Sequence, residues 1–416
     1  MSATLPGIPA GAANHEPGAP ADRLEKGGRS AAPSSLRGLG APAVVPAVRG
    51  RTRIARPMII ALVLLIIALV AGTSIGPADV PFSAIFGTLA QHLPWHPAVS
   101  VSAINSAIIW QIRLPRVVLG AMVGAMLSGG GAAYQGVFRN PLADPYLLGV
   151  AAGAGLGATV VIVSGGNPNL QPVAAFIGGT GAVALTYSLG AGTGRASRAG
   201  WARRAGPRTG RGGDGAWSGR TAATAGTASI LLAGVAVAAL LTAGQTYLQQ
   251  QHSQTLQSVY AWILGGLSGA TWSQATMILP YVVISGAVLV VHRRLLDVLR
   301  VGEAEAGNLG VNVARLRLTV VIAATLGTAA AVSVSGLIGF VGIIVPHLIR
   351  LTAGASYRVV LPVSMVGGAA FLVLTDIAAR TLQAPAELPI GVLTAAIGAP
   401  FFLFVLRSRR ARPDIS

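Results

Sequence analysis

Cysteine is absent from this 416-residue chain, and lysine occurs once, at Lys26. The missing thiols exclude disulfides, thiolate-held iron–sulfur clusters and thiol catalysis. The single lysine does not stand in a G-x-x-x-x-G-K-[ST] phosphate-binding loop, so the chain cannot hydrolyse ATP by that chemistry. If ATP drives a process here, the ATPase is a separate polypeptide.

Charged side chains are also scarce, at 10% of residues, whereas soluble domains carry about 25%. Hydrophobic residues make up 53%, glycine occurs 55 times, and the mean hydropathy is +0.66. Glycine is frequent in transmembrane helices, and apolar runs of about 20 residues favour such helices over a β-barrel. The composition therefore predicts an all-α, polytopic membrane protein.

The apolar runs predict about ten transmembrane helices. We place them at 57–76, 114–137, 147–165, 172–191, 228–249, 275–292, 315–336, 338–349, 359–379 and 388–406. Residues 1–56 are rich in Ala, Pro, Gly and Arg without apolar periodicity, which predicts a disordered tail. The first apolar run is a retained span and not a signal peptide, because some fifty residues precede it. The remaining segments are a mostly polar connection after 76, an arginine-rich insert at 192–226, amphipathic surface helices in 250–274 and a tail at 408–416.

The distribution of charge predicts the orientation. With ten spans and the N-terminus inside, all but three of the 30 Lys and Arg residues lie in cytoplasmic segments. The three exceptions are Arg113, Arg116 and Arg380. Because basic residues concentrate on the cytoplasmic side, both termini are predicted to be cytoplasmic. The net charge of +18 thus reflects topology, and we expect no nucleic-acid partner.

Few side chains suggest chemistry inside the membrane. The twelve acids fall in tails, loops or span edges, which argues against an ion-coupled secondary transporter, although that class stays the alternative. Asp376 and Arg380 are one helical turn apart and can pair. His347 has no histidine neighbour at metal-ligand spacing, so we expect no metal site. No catalytic constellation appears, and no bound cofactor is expected.

The short segment 293–314 carries helix formers between glycines, including Glu303, Ala304, Glu305 and Ala306. Two interpretations are open from the residues alone. The segment is either a solvated connector or a short surface helix on which a partner docks.

Four stretches resemble the FecCD-type permease subunits of bacterial ABC importers for iron–siderophores, haem and vitamin B12. They are RLPRVVLGAMVGAMLSGGGAAYQGVFRNPLADPYLLGVAAGAGLGA at 113–158, GEAEAGNLGVNV at 302–313, SGLIGFVGIIVPHLIRL at 335–351 and ELPIGVLTAAIGAPFFLFVLR at 387–407. The resemblance covers 57–407, the segment we expect to form the permease domain.

The resemblance implies a vitamin-B12-importer-like permease fold in the bacterial cytoplasmic membrane. The subunit would form a homodimer, or pair with a homologous permease. Two cytoplasmic ABC ATPase subunits and an extracytoplasmic substrate-binding protein would complete the importer. The expected substrate is an iron–siderophore, with cobalamin or haem as the alternative. The long tail and the 192–226 insert depart from the family pattern, and contact with anionic lipid is one role open to them.

The resemblance also assigns residues. Arg113, Arg116 and Arg380 match arginines that face acidic residues of the binding protein. The start of the fifth span, at Thr227 and Ala228, corresponds to the inner gate. The coupling helix that enters a groove of the ATPase corresponds to Gly302, Glu303, Ala304, Glu305, Ala306, Gly307, Leu309 and Gly310.

Overall fold

The computed structural model describes residues 52–92, 101–204 and 215–410, and side chains are not described at 52–53, 191–204, 215–227, 406 and 408–410. Within these ranges the chain is helical. The α-helices are α1 Thr52–Ser74, α2 Phe82–Gln91, α3 Ala103–Ala107, α4 Leu114–Val137, α5 Val150–Val163, α6 Leu170–Arg204, α7 Gly215–Gln251, α8 Leu256–Ile263, α9 Trp272–Leu299, α10 Glu303–Asn308, α11 Val313–Ser335, α12 Val341–Ala353, α13 Tyr357–Thr381 and α14 Ile390–Arg410.

Each predicted span has a corresponding helix. In the described ranges, seven helical segments are long and apolar enough to cross a membrane, and α5, α12 and α14 are shorter apolar helices at the other three predicted positions. The surface helix expected within 250–274 corresponds to α8. Most of the 1–56 tail, residues 205–214 of the insert and residues 411–416 lie outside the described residues.

Helix α4 lies at the centre of one group of helices. It packs against α13, α11, α9 and α12, while α1 packs mainly on α13 and also touches α4. A second group consists of α5, α6 and α7, and α6 contacts α11 of the first group. Glycines allow the closest approach: a Cβ atom on Gly124 would lie 2.2 Å from the Gly368 carbonyl oxygen, and one on Gly131 would lie 2.1 Å from that of Gly342. Small residues at such crossings are typical of membrane helices.

Polar side chains fix where several helices begin. The Asn312 side chain accepts a hydrogen bond from Arg315 N at 3.0 Å, and Thr271 accepts one from Gln274 N at 3.3 Å. These caps satisfy backbone donors that have no partner within the helix. Helices α11 and α9 therefore start at sequence-encoded positions.

Two expectations about connecting segments need correction. The connection after residue 76 contains α2 and α3, and α3 continues through a π-helical turn, Ile108–Arg113, directly into α4. The rings of His92 and Trp110 stack with their centroids 3.5 Å apart and so join the end of α2 to the π-helical turn. A contact between residues this far apart in the chain gives no periodic signal in the sequence. Both ends of the 192–226 insert are helical, because α6 continues to Arg204 and α7 begins at Gly215.

Candidate functional site

Arg116, in the first turn of α4, forms a charge cluster with α13 and with the segment that follows α13. Its Nε lies 3.0 and 3.1 Å from the two carboxylate oxygens of Asp376, and its Nη2 lies 2.8 Å from Asp376 Oδ1. On Glu387, Oε1 and Oε2 accept from Nη1 and Nη2 at 2.7 and 3.0 Å. One planar guanidinium thus binds two carboxylates, a geometry that lysine cannot reproduce.

Arg380 completes this group from the next turn of α13. Its Nε lies 3.7 Å from Asp376 Oδ2, so the predicted pairing of these two residues is confirmed. Its Nη2 donates to the carbonyl oxygen of Gly72 in α1. Arg380 therefore links α13 to α1.

Arg113 binds the chain that leaves α1. Its Nη1 donates to the carbonyl oxygens of Thr73 at 2.9 Å and Ser74 at 2.7 Å, and its Nη2 donates to that of Ala78. Carbonyls at a helix C-terminus carry partial negative charge and have no intrahelical partner. Arg113 therefore caps α1.

We call Arg113, Arg116, Arg380, Asp376 and Glu387 the arginine clasp. The arginines retain only 3%, 6% and 2% of their exposed area, respectively. Sequence reasoning treated them as outward charges facing a binding protein. The structure shows instead that they bind groups of their own chain, because their guanidinium donors point to α1, α13 and Glu387. A docking role stays a prediction, and it has to account for this burial.

A short helix, α10, connects α9 to α11 and contacts both of them. The predicted surface helix exists here as α10, with Gly302 at its N-cap at a φ of 154°. Ala306 is buried, whereas Ala304, Glu305, Gly307 and Gly310 are exposed. Leu309 is 70% exposed. Val301, just before α10, is 68% exposed, so apolar side chains stand exposed at both ends of this short helix.

Helix α10 is held firmly against the bundle. Glu303 forms an ion pair with Arg317 of α11, and Val311 N donates to Ala306 O at 3.0 Å. Helix α10 is thus tied to α11 by an ion pair and also packs against α9. This geometry agrees with the expected coupling role, which remains a prediction.

The expected gate lies within α7, which runs without interruption from Gly215 to Gln251. The Thr227 side chain lies outside the described residues, and Ala228 is exposed. Within the described residues, no group of three or more His, Cys, Asp or Glu side chains is placed to hold a metal ion.

Sequence reasoning missed Glu387 and the ion pairs that Arg116 forms with Asp376 and Glu387. Glu387 belongs to the ELPIG stretch but had no assigned role, since it lies 271 positions from Arg116. A pairing over such a distance leaves no periodic signal in one sequence. The only hint was the concentration of three arginines at span ends otherwise free of basic residues.

Apolar helices long enough to cross a membrane, joined by buried polar contacts, define the class: a multi-pass membrane protein. The comparisons with known proteins agree. The chain belongs to the FecCD transport family, whose model matches residues 62–200 and 217–408. It is therefore the permease of an ABC importer, and its family implies ATPase and binding-protein partners. The alternative of an ion-coupled carrier is set aside.

Several curated relatives are permeases. The chain is 39% identical to the cobalamin import system permease protein BtuC of Halobacterium salinarum, over 77% of this chain and 81% of that protein. It is 36% identical to the hemin transport system permease protein HmuU of Yersinia pestis, over 84% of this chain and 95% of that protein. It is 32% identical to the Fe(3+)-citrate import system permease protein YfmE of Bacillus subtilis, over 72% of this chain and 82% of that protein.

A solved structure has the same fold. It is described as an inward-facing conformation of a metal-chelate type ABC transporter, with a TM-score of 0.68 and 28% identity. The match covers 85% of this chain and 99% of the other. The predicted all-α, vitamin-B12-importer-like permease fold is confirmed, and the protein is a multi-pass membrane protein.

Proposed function

We propose that the protein carries a bulky metal chelate inward across the cytoplasmic membrane, with an iron–siderophore as the first candidate substrate. The observation that carries the proposal is α10. It presents exposed Leu309 between two spans, in a chain that lacks the phosphate-binding loop for ATP. An ATPase docked there would supply the energy. The relatives named for hemin and Fe(3+)-citrate support a chelated iron substrate.

Cobalamin is the second candidate, because the relative named for cobalamin import is 39% identical to this chain. Haem is a further alternative within the same class. These ligands are all large metal chelates. A mostly apolar passage that binds none of them tightly would suit a ligand handed over by a binding protein.

The proposed assembly is a homodimer with two ATPase subunits on the cytoplasmic side and a binding protein outside. The exposed apolar residues of α7 and α14 support a dimer or lipid contact on those helices, among them Leu232, Leu240, Leu403 and Phe404. The bias of basic residues supports a cytoplasmic location for both termini and for the α10 end. The arginine clasp would then lie at the outer end, where the binding protein docks.

The test is uptake into liposomes that contain the permease, its cognate ATPase and its binding protein. A ferric siderophore, cobalamin and haem are offered separately, each with ATP or with a non-hydrolysable analogue. We expect ATP-dependent uptake of the ferric siderophore. ATP-dependent uptake of cobalamin or haem alone would select that alternative substrate, and uptake driven by an ion gradient without ATP would contradict the proposal.

A further inference from the structure

A second polar site lies at the α10 end of the bundle. It is an open cavity of about 260 Å³. Its walls include Gln135, Gly136, Arg139, Arg300, Arg350 and Tyr357. The three arginines come from separate parts of the chain: one just after α4, one just after α9 and one near the end of α12. We call this site the basic pocket.

Arg350 is held in place inside the pocket. Its Nη2 donates to Gln135 Oε1, and Gln135 Nε2 donates to the carbonyl oxygen of Gly342 at 2.9 Å. The Arg350 guanidinium also lies over the ring of Tyr357, 5.8 Å from its centroid. Its Nη1, however, is buried and has no hydrogen-bond partner among the described residues. A fixed donor without an acceptor is a costly arrangement that a ligand oxygen would relieve.

The charges around the pocket are mostly positive. Asp297 is the facing acid, and its carboxylate lies 3.7 Å from both Arg300 and Arg358. The same carboxylate accepts from Ser356 Oγ and Tyr357 N, both at 2.6 Å, so it is engaged at the start of α13. Arg139 forms no ion pair within the described part of the chain. The pocket thus keeps an excess of positive charge.

The pocket opens beside α10. Exposed Arg139 and Arg300 flank it, and Arg300 closely precedes Glu303, the first residue of α10. Between α4 and α13 the wall is closed, because a Cβ atom on Gly136 would lie only 3.1 Å from the Tyr357 ring. A protein that contacts both α10 and Arg300 would therefore reach the mouth of the pocket.

We propose that the basic pocket receives an acidic side chain of the partner ATPase. The inference rests on the proposed function and adds a second contact to it. Leu309 would make an apolar contact with the ATPase, and the basic pocket would make a charged contact with it. A carboxylate fits because guanidinium groups bind its two oxygens in parallel, and charge complementarity sets the register of an interface. The ATPase would thereby contact α4 and α12 as well as α10.

The test measures binding of the cognate ATPase to the full-length permease in lipid nanodiscs at low and high salt. We expect Arg139→Gln and Arg350→Gln each to weaken binding about tenfold or more. Arg139 is exposed and its replacement leaves the fold unchanged, and Arg350→Lys retains the charge if Arg350→Gln folds poorly. Arg358→Gln is the matched control, because Arg358 also faces Asp297 but does not line the pocket; its effect is expected to stay below about twofold.

Several results would overturn the proposal. Wild-type affinity in both charge-removing variants, Arg139→Gln and Arg350→Gln, with unchanged salt dependence, would show that the pocket does not bind the ATPase. A loss of binding seen only in nanodiscs containing phosphatidylglycerol would assign the pocket to a lipid headgroup. If wild-type permease bound no ATPase at all, the proposed function itself would fail. If the wild-type permease bound the ATPase and the pocket variants bound it with the same affinity, this inference alone would fail.

Discussion

Arg116 and Asp376 lie 260 positions apart in the chain and share three hydrogen bonds of 2.8 to 3.1 Å between α4 and α13. Both side chains are almost fully removed from solvent, with 8% and 2% of their area exposed. A buried ion pair gains little over an apolar pair of similar size, but losing one partner leaves an uncompensated charge. The pair therefore specifies how α4 and α13 meet and makes that contact sensitive to single substitutions.

Removing the shared carboxylate should destabilise the permease strongly. Asp376→Asn would leave Arg116 with Glu387 alone and Arg380 without its acid. We expect a loss of about 3 to 5 kcal/mol, seen as a clear fall in the apparent melting temperature in detergent. Glu387→Gln is the control: the Glu387 side chain is 34% exposed, so its loss should cost no more than about 1 kcal/mol. Equal effects would contradict the central role of Asp376.

Replacing both partners should be milder than replacing one. The double variant Arg116→Met with Asp376→Asn removes both charges of the pair at similar volume, while Arg380 still lacks its acid. We therefore expect it to be more stable than Asp376→Asn alone by about 1 kcal/mol or more. Melting temperatures of the two singles and the double supply the measurement. Additive losses would show that the two side chains act independently.

The same double variant tests the docking role predicted for Arg116. If the binding protein needs that guanidinium, capture by the double variant should fall about tenfold even though the bundle stays folded. Capture measured by surface plasmon resonance at low salt decides this. Unchanged capture would restrict Arg116 to its role inside the clasp.

The sequence predicted the ten spans well because each span is a long apolar run bounded by polar residues, glycine or proline. It did not predict the order in the connection after residue 76, since α2 and α3 are short and depend on contacts such as Ile85 with Ile109. Nor did it reveal the clasp. Hydropathy predicts that Arg116 lies at the end of a span. Whether its guanidinium binds an outside partner or Asp376 depends on how α4 and α13 pack, which hydropathy does not predict.

A single methyl group added between α4 and α12 should lower the stability of the permease. In Gly131→Ala the new Cβ would overlap the Gly342 carbonyl oxygen, so the helices have to separate, at a cost of about 1 to 3 kcal/mol. Gly181→Ala is the matched control on α6, where a Cβ meets no atom within 4 Å. We expect a lower melting temperature for the first variant and little change for the second. Equal melting temperatures would contradict the close packing.

Asp144, in the turn between α4 and α5, should make stability depend on pH. Burial raises the pKa of its carboxyl to about 6, while the hydrogen bond from Tyr146 N lowers it. Because the folded state then holds a proton that the unfolded state releases above about pH 4, stability falls as the pH rises from 4 to 6 and stays lower above.

The variant Asp144→Asn isolates this effect. Its amide oxygen still accepts from Tyr146 N, but the charge is gone. We expect Asp144→Asn to exceed the wild type by about 1 to 3 kcal/mol at pH 7 and to match it near pH 4. Melting curves of both proteins across this range provide the measurement. A constant difference at all pH values would place the cause elsewhere.

The most direct test of the whole account compares ATP hydrolysis with uptake in liposomes that contain the permease, its ATPase and its binding protein. The comparison is between the wild type and a variant in which residues 302–310, including α10, are replaced by a flexible glycine–serine linker of equal length. We predict that the wild type takes up the substrate only with ATP, and that the linker variant loses uptake and substrate-stimulated hydrolysis while remaining folded. Normal ATP-driven uptake by the linker variant would contradict the account.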